Sequence, residues 1–270
     1  MSAPRHYQSL LFVPGSRPER FEKALASGAD LVVVDLEDAV GPADKDTARA
    51  AAMAALGDPR LGIRINGLRT AQGLADLLAL SKTKPPYIMM PMVEAAAEID
   101  IAHAILGADV GLIPLIETVK GISAAPAVAA SSGIAGVMFG GADFAGELGV
   151  AMSWDALFAA RSAIVMACAA ARVPSIDAPW LDLDNLGDLA ADVARVKAMG
   201  FAAKSVVHPK HVAVVHQVMR PTAVEIAEAR DAETAYAAAG EAAVRFNGTM
   251  LEAPVIARYR RILAMRGQNI

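Results

Sequence analysis

The sequence predicts an α/β protein built as a (β/α)₈ barrel with a C-terminal helical appendage, and three observations support that fold class. The 270 residues match the length of one such barrel, for which about 250 is typical. Eight short apolar runs alternate along the chain with helix-like segments. Hydrophobic residues make up 55% of the chain and aromatic residues only 5%, a balance that favours many buried strands and helices built from small aliphatic side chains.

The eight apolar runs show little alternation between apolar and polar residues, which is typical of parallel strands covered on both faces. They span residues 9–14, 31–40, 61–67, 87–93, 110–118, 134–144, 174–180 and 202–209. The segment 119–133 between the fifth and sixth runs has the length and alanine content of a crossover helix. We therefore expect the barrel domain to occupy residues 1–220.

The pattern changes after this point, and residues 221–270 are expected to form a separate helical segment. A long helix with a polar face comes first, a tight turn follows around Asn247-Gly248, and a terminal helix carries an apolar stripe. No strand is present to extend the barrel. We expect this segment to act as a lid that packs on the barrel mouth or on a neighbouring subunit.

Charge, cysteine content and motifs exclude several classes. The net charge of −4 argues against a general nucleic-acid binder. The single cysteine, Cys168, lies in a helix-like run and is expected to be a buried structural thiol. No HExxH, P-loop, GxGxxG or GxSxG motif is present. The N-terminal residues lack an apolar signal core, and no apolar run approaches the ~18 residues of a membrane span, so we expect a cytoplasmic protein without a membrane partner.

Two carboxylates follow neighbouring strands at the point where each strand is expected to end. Glu117 closes the fifth run and Asp143 the sixth. Ligands of α/β barrels bind at the C-terminal ends of the strands, and carboxylates are preferred ligands of Mg²⁺. The pair therefore predicts a Mg²⁺ site. The alternative is that Glu117 caps the following helix and Asp143 makes a turn.

Arg64 lies inside the third apolar run, where a cation needs a partner. It either forms a buried ion pair with Asp35, Glu37 or Asp38 of the second run, or it is a fixed cation for a carboxylate or a developing oxyanion. Strand parity would place Asp35 and Glu37 on one face and Asp38 on the other. A Mg²⁺ ion beside an arginine suits reactions that make an enolate, such as carbon–carbon cleavage next to a carbonyl.

Two further positions carry open alternatives. Gly140 and Gly141 either make a plain turn or let the backbone approach a ligand and offer N–H groups to a carboxylate. His208 at the end of the eighth run either ligates or hydrogen-bonds the backbone. The other histidines, His6, His103, His211 and His216, fit surface or helix positions.

Seven motifs occur in an order that resembles the citrate lyase beta-like family, within the HpcH/HpaI aldolase and citrate lyase superfamily that includes malyl-CoA and citramalyl-CoA lyases. They are LLFVPGSRPERFEKA, DLEDAV, RIN, PLIET, FGGADF, KSVVHP and NGTMLEAPVI, and they cover nearly the whole chain. The resemblance implies a TIM barrel, a homotrimer or hexamer, and Mg²⁺ at the barrel mouth. It also implies cleavage of a 3-hydroxy-acyl thioester, borne by CoA or an acyl-carrier partner, into an acetyl-type thioester and an oxo acid.

The resemblance assigns roles to particular residues. Glu117 and Asp143 would bind Mg²⁺, Glu37 and Asp38 would support its waters, and Arg64 would face the substrate as a catalytic residue. The appendage would deliver the carboxylate of Glu252 to an adjacent subunit as the catalytic acid/base. Further substrate-binding positions implied by the motifs are Phe12, Pro14, Arg17, Gly140, Gly141 and Ala142.

Two positions depart from the family pattern. Relatives commonly carry aspartate where this chain has Glu252, and the extra methylene shifts the carboxyl group by roughly 1–1.5 Å, enough to matter in a precisely positioned step. Relatives often carry Pro-Lys where this chain has Pro91-Met92, so a cation is missing. These departures keep two alternatives open: a CoA-independent class II pyruvate aldolase, and a ligand-binding paralogue without turnover.

Overall fold

The structure is a computed structural model that describes residues 6–266. The chain forms two compact units, with the division between His216 and Gln217. The first unit contains the barrel and the second the C-terminal helices. The sequence placed this division at residue 220, four residues later.

The first unit is a closed barrel of eight parallel strands in the order in which they occur along the chain, which confirms the predicted fold class. Neighbouring strands pair in parallel, with one register shift between β7 and β8 after Asp177, and β1 closes the barrel by pairing with both β2 and β8. The strands are β1 (Ser9–Pro14), β2 (Leu31–Asp35), β3 (Leu61–Arg64), β4 (Tyr87–Met90), β5 (Gly111–Ile116), β6 (Val137–Phe139), β7 (Ser175–Trp180) and β8 (Ala203–Val206).

Helices connect the strands and form the outer layer, as crossover connections between parallel strands require. They are α1 (Phe21–Leu25), α2 (Lys45–Ala54), α3 (Ala71–Thr83), α4 (Ala96–Leu106), α5 (Val119–Ala129), α6 (Gly141–Leu148), α7 (Trp154–Ala171), α8 (Leu186–Met199) and α9 (Pro209–Met219). Two of them, α6 and α9, were not predicted. The start of α6 reads as a turn in sequence because of its two glycines.

Alternate residues of the strands fill the barrel interior, as the period of two along a strand requires. Tyr87 is the largest of them and is fully buried, with its hydroxyl 2.8 Å from the carbonyl oxygen of Val32. Gly62 on the neighbouring strand leaves the space that the tyrosine ring occupies. The same parity directs Asp35 and Arg64, the last residues of β2 and β3, toward the interior at its C-terminal end.

The second unit has its own small core. Helix α10 (Ala223–Ala238) begins with a capping box formed by Thr222 and Glu225, and α11 (Ala253–Arg266) packs against it. Between them, β9 (Val244–Phe246) and β10 (Thr249–Leu251) form an antiparallel hairpin. Its turn is the predicted Asn247-Gly248 pair, and both residues have the positive φ angles that such a turn needs.

One helix among the described residues, α7, is long and apolar enough by length and composition to cross a membrane, which corrects the expectation that no segment reaches that length. Its contacts are those of a barrel helix. Arg161 within it is buried and donates to Asp177 of β7 at 2.8 Å, and Cys168 is buried on the same helix, as predicted.

Replacing Gly62 with alanine should destabilise the barrel, because the new Cβ would lie 2.2 Å from Cε2 of Tyr87. Overpacking of this kind costs about 1–3 kcal/mol of unfolding free energy. Gly146→Ala is the matched control, since its Cβ would meet no atom within 4 Å. Thermal unfolding of both variants provides the measurement. Equal midpoints would contradict the packing argument.

Candidate active site

The candidate site is built from side chains at the C-terminal edge of the barrel. Asp35 and Arg64 end β2 and β3, and Glu117 directly follows β5. Glu37 interacts electrostatically with Arg64, Glu117 and Asp143, so the residues that the sequence singled out on separate strands lie close together. The closed parallel barrel brings them to one edge because all its strands end there.

Arg64 is buried in a network of acids, which is the ion-pair alternative that the sequence left open. Its Nε and Nη2 donate to the two carboxylate oxygens of Asp35 at 2.7 and 2.6 Å. Its Nη1 lies 3.0 Å from Glu37, and Nη2 lies 3.4 Å from Asp38. The guanidinium also lies over the ring of Phe12, 5.2 Å from its centroid.

The prediction that Asp38 faces away from Asp35 and Glu37 is wrong, because β2 ends at Asp35 and strand parity no longer applies beyond it. The carboxylate of Asp35 accepts hydrogen bonds from the backbone N–H groups of Glu37 at 2.9 Å and Ala39 at 3.2 Å. This turn folds the following acids back over Arg64. Asp35 therefore orients both the arginine and the loop that carries its other partners.

Glu117 is buried and lies directly against Asp143. Only 3% of Glu117 is exposed, and the backbone N–H of Met92 donates to its Oε1 at 2.8 Å. The nearby carboxyl group of Asp143 contributes to a raised pKa of Glu117. The helix-cap alternative does not describe Glu117, because Thr118 is the N-cap of α5 and accepts from Gly121 N–H.

Asp143 lies in the first turn of α6 rather than at a strand end, which corrects the sequence assignment. The strand stops at Phe139, and three residues separate it from the aspartate. Asp143 and Ala142 are both exposed, unlike Glu117. The pair thus combines one buried and one exposed carboxylate, and the exposed one leaves room for a ligand from solvent.

Gly140 provides space for Glu117. A Cβ at this position would lie 2.5 Å from Oε2 of Glu117, closer than atoms approach. Its N–H donates to the carbonyl oxygen of Ile116 at 2.9 Å. The hypothesis that Gly140 offers this N–H to a substrate carboxylate is therefore wrong. Gly141 begins α6, and a Cβ there would press on Ala178 at 3.1 Å, so close packing requires glycine here as well.

Two acids of the site, Glu117 and Glu37, resist ionisation. Burial, followed by the charges of Glu37 and Asp143, raises the pKa of Glu117 to about 9. Burial also raises the pKa of Glu37 to about 7, although Arg64 opposes the shift. A bound divalent cation would displace a proton from Glu117, so the affinity for such an ion should rise with pH up to about 9.

The donor set fits Mg²⁺ as the occupant. Two carboxylates converge, and Mg²⁺ is usually held by one or two carboxylates together with waters and substrate oxygens. Within residues 6–266, no three His, Cys, Asp or Glu side chains are placed to hold a metal by themselves. An ion held by Glu117 and Asp143 would therefore keep open positions.

The other predicted positions belong to the barrel unit, except Glu252, which belongs to the second unit. Pro14 ends β1 beside Asp35, and Arg17 is exposed beyond the strand, 4.0 Å from Glu19. His208 accepts from the backbone N–H of Lys210 at 3.2 Å, which is the backbone alternative for that residue. Glu252 precedes α11 in the second unit, where its side chain is exposed. Its catalytic role stays a prediction.

Sequence reasoning missed two contributors to the site. The sequence drew attention to Met92 because relatives often carry a lysine at this position. In the structure, it is the backbone N–H of Met92 that matters, because it donates to Glu117. Met92 also has a φ of 55°, a left-handed conformation that costs a residue with a side chain about 1–2 kcal/mol. Arg69, which the sequence did not single out, donates to the Met92 carbonyl oxygen at 2.6 Å. Neither contact leaves a local signal in the sequence.

Fold and site together define a barrel protein with a carboxylate pair suited to a divalent cation. Comparison with known proteins gives the family. The chain belongs to the HpcH/HpaI aldolase/citrate lyase family, whose model matches residues 8–209, and this confirms the resemblance seen in the motifs.

Individual relatives span almost the whole chain. A citrate lyase subunit beta-like protein of Mycobacterium tuberculosis is 34% identical over 267 residues, which cover 96% of this chain and 95% of the relative. An L-malyl-CoA/beta-methylmalyl-CoA lyase of Cereibacter sphaeroides is 32% identical and covers 90% of this chain and 89% of its own length.

A solved structure agrees closely with the fold. CitE of Mycobacterium tuberculosis, in complex with magnesium, acetoacetate and coenzyme A, superposes with a TM-score of 0.87 at 33% identity. The match covers 98% of this chain and all of the other. The two lyase names and this ligand set place the chain among relatives that act on or bind CoA compounds.

Glu117→Gln should weaken Mg²⁺ binding about tenfold or more, because it removes the buried charge while keeping the oxygen that accepts from Met92. Isothermal titration calorimetry measures this directly. Asp155→Asn is the control, since it also removes one carboxylate, at an exposed position in the first turn of α7 that is not part of the site. Wild-type affinity in Glu117→Gln would remove this residue from the metal site.

Proposed function

We propose that this protein is a Mg²⁺-dependent carbon–carbon lyase. Its substrate would be a 3-hydroxy-acyl thioester of the citramalyl-, malyl- or citryl-CoA type, cleaved into an acetyl-type thioester and an oxo acid. The observation that carries the proposal is the buried carboxyl of Glu117, which interacts electrostatically with Asp143 and has no cationic partner of its own among the contacts described. The two lyases among the relatives and the magnesium in the CitE complex support the same reading.

Glu117 and Asp143 would hold the Mg²⁺ ion, and Glu37 and Asp38 would orient its waters. Bound there, Mg²⁺ would supply Lewis-acid polarisation of the carbonyl that forms in the oxo-acid half of the substrate. Gly140 keeps the space around Glu117 clear. The exposed position of Asp143 gives the substrate access to the remaining coordination positions.

Arg64 would stabilise the negative charge that develops on the thioester oxygen. Two of the five N–H hydrogens of the Arg64 guanidinium donate to Asp35, whereas Nη1 and Nη2 lie at ion-pair distances of 3.0 and 3.4 Å from Glu37 and Asp38. Among the described residues, Nη1 makes no hydrogen bond, so its hydrogens would be available to a substrate oxygen. The bidentate bond to Asp35 fixes the plane of the guanidinium, so these hydrogens have a defined direction.

Glu252 would move the proton. As a base, its carboxylate would take the proton of the 3-hydroxyl group while the bond between C2 and C3 breaks. The electron pair would pass to C2 and the thioester oxygen as an enolate, and the protonated Glu252 would return the proton to C2. Oxo acid and acetyl-type thioester are then released without an added oxidant or reductant.

The remaining expectations follow from the family and belong to the same proposal. Phe12, Pro14, Arg17, Gly141 and Ala142 would contribute to substrate binding, and Phe12 would do so together with Arg64, which lies over its ring. We propose a cytoplasmic homotrimer or hexamer in which the second unit serves a neighbouring subunit as a lid. An acyl-carrier protein is a further possible bearer of the thioester.

The lyase proposal predicts oxo-acid release from a panel of malyl-, citramalyl- and citryl-CoA. With Mg²⁺, one member should yield glyoxylate, pyruvate or oxaloacetate, and EDTA should abolish the release because Glu117 and Asp143 would lose their ion. A spectroscopic assay of the oxo acid measures it. Asp143→Asn should lower the rate at least 100-fold, whereas Asp155→Asn should leave it unchanged.

The outcomes separate the alternatives. Release of pyruvate from a free hydroxy-oxo acid, with no turnover of any thioester, would replace the proposal with a CoA-independent aldolase. Binding of Mg²⁺ and oxo acid without any turnover would instead indicate a ligand-binding paralogue.

Glu252→Asp should raise the lyase rate on malyl- or citramalyl-type thioesters by roughly 10-fold or more, because the shorter side chain restores the carboxyl position common in relatives. Steady-state kinetics of the purified variant provides the measurement, with Glu252→Gln as the charge-free control that should be inactive. A lower rate for Glu252→Asp would show that this chain uses the longer side chain for its own substrate.

A further inference from the structure

The backbone of Met92 hydrogen-bonds Glu117, the proposed metal ligand, while Met92 is in an unfavourable left-handed conformation. Its φ of 55° is in the left-handed region, and its N–H reaches Oε1 of Glu117 at 2.8 Å. A residue with a side chain leaves this region easily unless its surroundings hold it there. The orientation of Glu117 therefore depends on whatever fixes the Met92 backbone.

Arg69 fixes that backbone from the other side of the peptide. Its Nη2 donates to the Met92 carbonyl oxygen at 2.6 Å, and its Nη1 donates to Glu94 two residues further along. Glu94 is held in turn by the hydroxyl of Thr118 at 3.1 Å and by Lys120 Nζ at 3.2 Å. Arg69 thus clamps the loop after β4 at two points, one of which is anchored to the start of α5.

We propose that Arg69 is a positioning residue for the metal site: it holds Met92 in the left-handed conformation, and the Met92 N–H orients Glu117 for the ion. This inference rests on the proposed role of Glu117 as a Mg²⁺ ligand. Arg69 contacts neither Glu117 nor Asp143 through a described bond. Its effect on the ion passes through the Met92 peptide.

Electrostatics alone predicts the opposite effect of removing Arg69. A cation near the site repels Mg²⁺ and also neutralises Glu94, so its loss would strengthen Mg²⁺ binding. Positioning predicts weaker binding, because Glu117 loses its oriented donor. The direction of the change in affinity therefore separates the two effects without any assay of turnover.

Isothermal titration calorimetry of Mg²⁺ provides the test. Arg69→Ala should weaken binding about 10-fold, as the loss of a residue that orients a metal ligand typically does. Arg60→Ala is the matched control. Arg60 also pairs with a carboxylate, Asp58, and donates to a main-chain oxygen, that of Leu25, but it precedes β3 and lies at the opposite end of that strand. Its Mg²⁺ affinity should equal that of the wild type.

A second pair of variants tests the conformation itself. In the Arg69→Ala background, Met92→Gly should restore part of the lost affinity, because glycine adopts the left-handed region without strain. Met92→Ala in the same background should restore none, because alanine keeps the strain. Equal affinities of these two double variants would overturn the proposal.

The outcomes also separate this inference from the proposed function. Tighter or unchanged Mg²⁺ binding by Arg69→Ala, with normal binding by the wild type, overturns the positioning role alone. A wild type that binds no Mg²⁺ overturns the metal site and this inference together. If Arg69→Ala does not fold, Arg69→Lys replaces it. A lysine side chain can donate well to only one of the two acceptors. The Mg²⁺ affinity of Arg69→Lys should therefore lie between that of the wild type and a tenfold lower value.

Discussion

Several acidic side chains lie close together at the C-terminal edge of the barrel, and their mutual repulsion is the constraint on which the local structure depends. Burial and neighbouring acids raise the pKa of Glu117 to about 9, and burial raises that of Glu37 to about 7. The two acids are stabilised differently. Arg64 forms an ion pair with Glu37, whereas Glu117 accepts a hydrogen bond from a backbone N–H and lies near a second acid, Asp143. The second arrangement leaves negative charge for a divalent cation to neutralise.

A second buried acid shows what a purely structural carboxylate looks like in the same barrel. Asp177 is fully buried, and Arg161 and Lys204 donate to it at 2.8 and 2.6 Å. Burial acts to raise its pKa, but the two cations outweigh that effect and lower it. The contrast with Glu117 distinguishes the two sites physically. Asp177 is already paired with two cations, whereas Glu117 has none among the contacts described, which is the arrangement expected of the proposed metal ligand.

The two departures from the family pattern have different structural meanings. Met92 replaces the lysine common in relatives, and the guanidinium of Arg69 lies beside it. Arg69 donates to the main-chain carbonyl oxygen of Met92 and to the carboxylate of Glu94. A positive charge is therefore present near this loop, although another segment supplies it. At Glu252 the carboxylate is kept and only its reach differs. Both sites retain the charge type that the proposed chemistry needs, which favours an active lyase over a paralogue without turnover.

The sequence by itself determined the eight strands, their barrel arrangement and the hairpin turn, and it singled out the two carboxylates proposed to hold a metal, because each leaves a local mark: apolar runs, Asn247-Gly248, or an acid beside an apolar run. It did not determine that Asp143 lies on a helix, because GGAD reads equally as a turn. It did not show that Gly140 makes space for Glu117, or that Met92 and Arg69 hold Glu117 in place. The contacts of Met92 with Arg69 and Glu117 join residues that are 23 and 25 positions apart in the sequence. They use backbone atoms of Met92, which every residue type has, so they leave no mark in the sequence. Only the closed barrel decides which of them meet.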